Sequence, residues 1–355
     1  MKLSEHFCAA GLALAAAFLF GLNAPLSKIL LGKASPLFMV AFLYLGAGSG
    51  IGIMALLARR RENGNAEAPL TRKELPWAVL MILLDVAAPF LLMYGLKLTT
   101  AANASLLFNF EMVATSVIAS MFFREAVGKR MWCAIGIITL ASILLSVDIE
   151  DASAWRFSIG SLLVLGACCC WGLENNCTRN MSEKSPSQIV ILKGFGSGGT
   201  ALLIALISKD AFPSGWVTVI CAMLLGFVAY GLSIFFYVKA QRWLGAARTS
   251  ACYAAAPFAG VLLSMLILKE RPTWMFGAAA VLMLIGVSLT IFEKHIHTHH
   301  HEKIVHDHAH RHDDRHHGHP HDPLVSGWHT HEHTHEPCDH THWHTPDIHH
   351  HHQHE

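Results

Sequence analysis

Two stretches in opposite halves of this 355-residue chain spell nearly the same word. Phe20–Lys28 reads FGLNAPLSK, and Trp171–Arg179 reads WGLENNCTR. A second echo keeps register: Ala104-Ser105 and Arg124-Glu125 are answered by Thr249-Ser250 and Lys269-Glu270, with no gap between the paired dipeptides. The echoes sit in a chain that, up to Phe292, is a succession of apolar runs of roughly 17–23 residues, long enough to cross bilayer hydrocarbon as helices. A repeat inside such a chain restricts the fold to a membrane bundle built from two related halves.

Composition agrees. The chain is 53% hydrophobic and 14% charged, with mean hydropathy +0.41, whereas soluble domains carry about 25% charged residues. Net charge is +1 with histidine neutral, which offers nothing to nucleic acid. Eight of the nine cysteines (Cys8, Cys133, Cys168, Cys169, Cys170, Cys177, Cys221 and Cys252) fall in apolar runs, so free thiols are expected rather than a disulfide framework. The start of the chain, Lys2 followed by an apolar stretch and small residues near Ala24, also suits a cleavable leader. Cleavage there would delete the mate of Trp171–Arg179, so the segment is read as the first span.

Ten spans are expected, starting near Phe7, Pro36, Pro76, Ala101, Met131, Ile159, Gln188, Trp216, Ala247 and Trp274. With the N-terminus inside, cytoplasmic segments collect Lys2, Arg59–Arg61, Arg72, Lys73, Arg124, Lys129, Arg130, Arg179, Lys184, Lys239, Arg242 and Arg248. Basic residues then favour that side by about two to one, which puts both termini in the cytoplasm. Five spans per half is odd, so the second half inserts upside down relative to the first. The expected fold is an all-α integral membrane protein of ten transmembrane helices in two inverted five-helix repeats. Residues 1–147 form the first repeat, 148–158 an extracytoplasmic hinge, 159–292 the second repeat, and 293–355 a tail.

The sequence resembles the EamA-type transporters of the drug/metabolite transporter superfamily. The likeness covers Phe7 to Phe292 and rests on the aromatic-Gly-Leu…Lys/Arg pattern of spans one and six, on Tyr94-Gly95-Leu96-Lys97 and Ala101–Leu107, then on Glu111 and Arg124-Glu125. Where the family often has Glu-Pro in span four, this chain has Glu111-Met112, and a proline appears instead in the second repeat as Ala256-Pro257. The resemblance implies membrane transport of a small molecule without specifying which, because the family moves amino acids, metabolites, sugars and toxic compounds.

No phosphate-binding GxxxxGK[ST] loop or dinucleotide fingerprint is present, so a secondary carrier without a required cofactor is expected, and no enzyme. In such a carrier the informative residues are ionisable groups at membrane depth, each costing about 2.5–3.5 kcal/mol on insertion scales. Four stand out: Asp85, Glu111, Glu174 and Lys193. Glu111 shares its neighbourhood with Asn103 and Asn109; Glu174 is followed by Asn175 and Asn176. Asn23 is the repeat mate of Glu174, and Tyr230 stands opposite Asp85. One reading makes the set a proton-responsive substrate pathway. The other makes Glu111 or Asp85 a structural partner of Lys193. Pro25 and Pro257 are candidate hinges or static kinks, and Trp171, Tyr94, Tyr230 and Tyr253 are candidates for lining the path or for packing. The glycines at 46, 48, 50 and 52 and at 194, 196, 198 and 199 are expected to allow close helix packing. Cys168–Cys170 point around a helix in three directions and read as packing.

After Phe292 the composition flips. All but one of the 26 histidines lie beyond Lys294. They include His297, His299, His301, His306, His308, His310, His331, His333 and His335, and the run His349–His352. So polar a segment is expected to be disordered without metal. Neutral imidazole suits zinc, nickel, cobalt and copper(II), and HxH spacing lets several rings meet one ion. The spans themselves hold no histidine beyond His6, and their carboxylates are scattered singly. That favours an exporter of a small organic metabolite or drug-like compound over its alternative, a carrier of nickel, cobalt or zinc, free or chelated. A third reading, a metal-storage platform that has lost transport, leaves the buried ionisable groups unexplained. The expected partners are the lipid bilayer of the inner or plasma membrane, a small-molecule substrate and divalent metal ions, in a monomer or homodimer.

Overall fold

The computed structural model describes residues 3–59, 70–122, 128–148, 156–179, 181, 185–244 and 252–291, with the backbone of 295–301, 304–310, 329–335 and 338–344. Thirteen α-helices carry the described residues up to 291. They are α1 (Leu3–Gly21), α2 (Asn23–Leu30), α3 (Pro36–Arg59), α4 (Leu75–Leu98), α5 (Ala101–Leu107), α6 (Phe110–Phe122) and α7 (Lys129–Ser146), then α8 (Ile159–Arg179), α9 (Pro186–Ile207), α10 (Trp216–Gly226), α11 (Ser233–Leu244), α12 (Ala256–Leu268) and α13 (Trp274–Ile291). Between α10 and α11 the chain runs as a π-helix, Phe227–Leu232.

Among the described residues, seven stretches are long and apolar enough to cross a membrane: Cys8–Leu30, Pro36–Leu57, Arg72–Leu98, Ala101–Phe122, Lys129–Ser146, Ser187–Ile207 and Trp216–Tyr237. The three remaining expected spans are not among these. Helix α8 has 21 residues, but Glu174, Asn175, Asn176 and Arg179 dilute its apolar character. The described apolar helices at Ala256–Leu268 and Trp274–Thr290 are shorter, and the start expected for the ninth span, near Ala247, lies outside the described residues.

Local chemistry sets the ends. Thr71 opens the segment before α4 with a capping box, its Oγ1 accepting from Lys73 N at 3.3 Å while Glu74 Oε2 accepts from Thr71 N at 2.7 Å. Thr100 caps α5 by accepting from Asn103 N at 3.1 Å. Strands β1 (Val147–Asp148) and β2 (Arg156–Phe157) pair antiparallel and close the link between the halves.

Packing follows the repeat. Helix α4 lies along α8 and α1 along α11; α3 crosses α9 at the centre, and α7 packs on α13. The α3–α9 crossing is close because glycines meet there. A methyl added to Gly48 would lie 3.0 Å from Gly194 Cα, and one on Gly198 would lie 2.8 Å from Leu45 N. Gly46 and Gly50 admit Met223 and Phe227, and Gly196 admits Ile82, whereas Gly52 and Gly199 face open space. The expected close packing therefore holds at six of the eight glycines. Cys168 is buried, Cys170 half-buried and Cys169 exposed, as three directions around a helix require. Large apolar side chains such as Leu56, Phe122, Ile207 and Trp274 cover the outside.

In the tail the backbone pairs, where composition led to the expectation of a segment without regular structure. Strand β3 (His295–His301) runs antiparallel to β6 (Cys338–His344), and β4 (Ile304–His310) to β5 (His329–His335). Strict HxH alternation has the period of a strand, which is the physical reason such a sequence can adopt a ladder.

Candidate functional site

Four helical stretches are interrupted; Asn23, Glu111 and Tyr230 lie at or next to the interruptions, and Asp85, Glu174 and Lys193 lie within the continuous helices α4, α8 and α9. The first breaks at Leu22 between α1 and α2; Pro25 has no N–H to offer the carbonyl of Gly21. The second breaks at Phe108-Asn109 between α5 and α6, and its repeat counterpart breaks at Ala254-Ala255 before α12. The fourth is the π-helix, which carries Tyr230. Irregular backbone at membrane depth is tolerated only where protein or a polar path surrounds it, and half-helix ends of this sort build transporter sites.

At the centre Lys193 Nζ lies 2.6 Å from Glu174 Oε1 and 3.5 Å from Asp85 Oδ2. Asp85 and Glu174 are buried, 1% and 3% exposed. Thr178 Oγ1 also donates to Glu174 Oε1. The other oxygen of Asp85, Oδ1, accepts from Tyr44 OH at 3.0 Å. Asp85 Oδ2 is close enough to Lys193 for an ion pair yet has no hydrogen-bond donor. Alongside, Asn23 Nδ2 donates to Tyr230 OH at 3.0 Å, and Ser27 Oγ donates to Asn23 Oδ1 at 3.1 Å. Tyr230 and Tyr44 bring their rings to 5.4 Å, which joins the two networks.

Glu111 enters from the neighbouring helix. Its Oε1 accepts from Asn175 Nδ2 at 2.7 Å, and the same amide donates to Thr115 Oγ1 at 3.3 Å. Asn175 adjoins Glu174 in α8, so Glu111 joins the cluster through α8 rather than through Lys193. Of the two structural pairings considered from sequence, the structure makes Asp85–Lys193 and not Glu111–Lys193.

Two other amides stand apart. Asn109 is buried and donates to Leu106 O at 3.0 Å, holding the break in its own helix. Asn103 is not beside Glu111 as expected. Its amide reaches Thr99 Oγ1 at 3.3 Å, Leu145 O at 2.9 Å and Ser161 Oγ at 3.2 Å, tying α5 to α7 and α8. The two residues lie on either side of the break at Phe108-Asn109, so sequence proximity did not translate into a shared site. Of the candidate path aromatics, Trp171 and Tyr230 are buried. Tyr253 OH shares a 3.2 Å hydrogen bond with Ser233 Oγ. Tyr94, 38% exposed, packs on Phe90 away from the cluster.

The EamA-like transporter family model matches residues 8–147 and again 158–292. The chain belongs to the EamA-like transporter family. Among its relatives is an uncharacterized transporter of Methanothermobacter thermautotrophicus (strain Delta H), 28% identical over 287 residues that span 77% of this chain and 82% of the relative. A solved crystal structure superposes at TM-score 0.58 with 18% identity, covering 79% of this chain and 95% of that one, a likeness of fold alone.

This EamA-like transporter has a second charged group that sequence reasoning missed. Glu270, just past α12, accepts from the first amides of α5: Ala101 N at 2.9 Å and Ala102 N at 2.8 Å. Lys28, at the end of α2, donates to Thr99 O and lies 3.9 Å from Glu270 Oε1. The only hint in the sequence was that Glu270 belongs to a repeated basic-Glu dipeptide. Tyr44 was missed as well; a lone tyrosine in an apolar run carries no signal beyond its depth.

The nine histidines proposed as metal ligands all fall in the paired tail strands. The register sets His297 against His342, His299 against His340, His301 against Cys338, His306 against His333, His308 against His331, His310 against His329, and His335 against Ile304.

Proposed function

We propose that this protein is a secondary carrier that exports a small organic compound by alternating access, without ATP and without enzymatic chemistry. The supporting observation is the cluster of Asp85, Glu174, Lys193 and Glu111, contributed by helices from both halves of an EamA-like transporter. Ionisable groups are expensive in a bilayer, and one cation among three carboxylates is more than a structural lock needs. In this reading the chain crosses the membrane ten times as two inverted repeats joined by residues 148–158, with both termini cytoplasmic. Asp85 or Glu111 takes and releases a proton in step with substrate, while Asn23, Tyr230, Asn109 and Asn175 shape the path.

Purified protein in vesicles, tested for pH-gradient-driven flux against a library of metabolites and drugs, checks the reading. Flux of at least one compound is expected, and Glu111→Gln and Asp85→Asn should abolish gradient drive at normal protein level. Full gradient-driven flux in both variants sinks the proton role.

The tail, 293–355, is read as a binder of zinc, nickel, cobalt or copper, supported by a register that sets histidine against histidine across the strands. That same feature favours one second reading, transport of a divalent metal or its chelate with the tail gathering the ion. Metal accumulation by cells carrying the full chain, or a chain ending at Lys294, separates the two. Accumulation that persists without the tail supports metal transport; accumulation that vanishes with it supports binding alone.

A further inference from the structure

We infer that the centre selects an organic cation, an ammonium-type group carried on an apolar or aromatic body, and that this cation and the proton compete for Asp85 and Glu111. The inference rests on the carrier reading above and narrows its substrate class.

The charge count comes first. Three carboxylates, Asp85, Glu111 and Glu174, share one ammonium, that of Lys193. At 2.6 Å Lys193 belongs to Glu174, and it stands off from Asp85 at 3.5 Å. Asp85 therefore shares its cation with Glu174, and among the described residues Glu111 has none at ion-pair distance. Lys28 cannot supply one, because it is engaged with Thr99 O and Glu270. Buried charge needs a counter-charge, and here that is a proton or a positively charged ligand. An anionic substrate would add a third unpaired negative charge.

The second observation is independent of the count. Asp85 is 1% exposed, and its Oδ2 lacks a hydrogen-bond donor. Such an orphan is rare in a folded interior. Lys193 Nζ stands 3.5 Å from this oxygen, an ion pair without a hydrogen bond, and Tyr44 OH is already given to Oδ1. An N–H carrying positive charge is the donor this oxygen suits best.

The third is the rings beside it. Tyr44 and Tyr230 lie 5.4 Å apart, Phe20 is 6.3 Å from Tyr230 and 5.9 Å from Phe108, and Phe108 is 5.9 Å from Trp171. This chain of rings runs from the Asp85 network on α3 and the π-helix to α8, the helix that carries Glu174 and Asn175. Ring faces attract cations, most of all away from water, and they accept the apolar body of an organic amine. A bare metal ion gains little from them and is offered no histidine.

Matched triplets test this: ethyl, phenethyl and indolylethyl skeletons, each as the ammonium, the alcohol and the carboxylate. Binding to the purified full chain is measured by calorimetry in two buffers of different ionisation enthalpy, so that proton release is read alongside affinity. Expected is a tenfold or greater preference for the ammonium in at least one skeleton, with release of about one proton as ligand and proton exchange on linked carboxylates. Asp85→Asn, and separately Glu111→Gln, should lower that affinity at least tenfold in protein that still elutes and melts as folded. Equal or tighter binding of the alcohol or carboxylate overturns the inference, as does binding of no ammonium. So does ammonium affinity unchanged in both variants. The carrier reading fails separately, when vesicles move no compound of any charge.

Discussion

Two sets of residues occupy equivalent places in the two halves, and they solve the same packing problem with different chemistry. In one set, Glu174 on α8 faces Asp85 on α4 across Lys193 on α9. In its mate, Asn23 on α2 faces Tyr230 in the π-helix. The glycine patterns give the third member: Gly46-Ala47-Gly48-Ser49-Gly50 matches Gly194-Phe195-Gly196-Ser197-Gly198, so the mate of Lys193 is Leu45. Two carboxylates repel and need a cation between them. An amide and a phenol bond to each other directly, at 3.0 Å, and leave the third place free for leucine. One set is thus neutral, and the other is charged.

Removing the bridging cation should break the charged set most severely. Lys193→Met leaves Glu174 and Asp85 buried without their partner, and loss of one member of a buried pair costs about 3–5 kcal/mol. Thermal melting in detergent is expected to show a large drop in Tm. Replacing all three by their counterparts in the other half (Asp85→Tyr, Lys193→Leu, Glu174→Asn) should recover much of that stability while leaving transport absent. If Lys193→Met melts like the parent protein, the ion pairs are not structural. A transporting triple variant means that the charges are not the machinery.

Next in size is Tyr230→Phe, aimed at the neutral set. It removes the acceptor of the Asn23 amide and leaves a buried donor unpaired, which costs about 1–3 kcal/mol. Melting should show the loss, and Asn23→Leu combined with Tyr230→Phe should cost less than the sum of the two changes, since the orphan is gone. Flux should fall less than in Asp85→Asn, because no titrating group is touched. Equal losses of flux in the two would erase the distinction between the two sets.

How far the residues alone disclose this site depends on what kind of signal each carries. The helical membrane fold and its two-part plan were legible because apolar length and repeat register are local properties of the chain. Asp85, Glu174 and Lys193 were legible because charge in an apolar run is conspicuous, and the Asp85–Lys193 pairing was one of two considered. Asn103 misled because two polar residues eight positions apart in sequence lie on either side of the break at Phe108-Asn109. Tyr44 and Glu270 went unseen for opposite reasons. A tyrosine hydroxyl matters only for what it meets, and a glutamate at the end of a span looks like ordinary loop charge. Of the ten expected spans, α8 is the one whose apolar character is lowered by the same polar run that supplies Glu174 and Asn175.

The smallest effect expected is at the end of the bundle where Lys28 and Glu270 hold the start of α5. Glu270→Gln keeps one oxygen for the Ala101 or Ala102 amide but loses the second acceptor and the attraction to Lys28, so its cost should resemble that of losing a helix cap, about 1 kcal/mol. Melting will barely register it. The informative readout is access, because these contacts join α2 and α5 of the first half to the end of α12 in the second. Loosening them should favour the state open at this end, seen as faster labelling of a cysteine placed at Ser105 by a membrane-impermeant maleimide from that side. The repeat supplies the control. Glu125 is the mate of Glu270 and Arg179 that of Lys28; the side chains of both lie outside the described residues. Glu125→Gln should slow the same labelling by favouring the opposite opening. Labelling changed in the same direction by both substitutions would mean that the ends are not coupled through a shared centre, and the comparison between the halves would then describe packing alone.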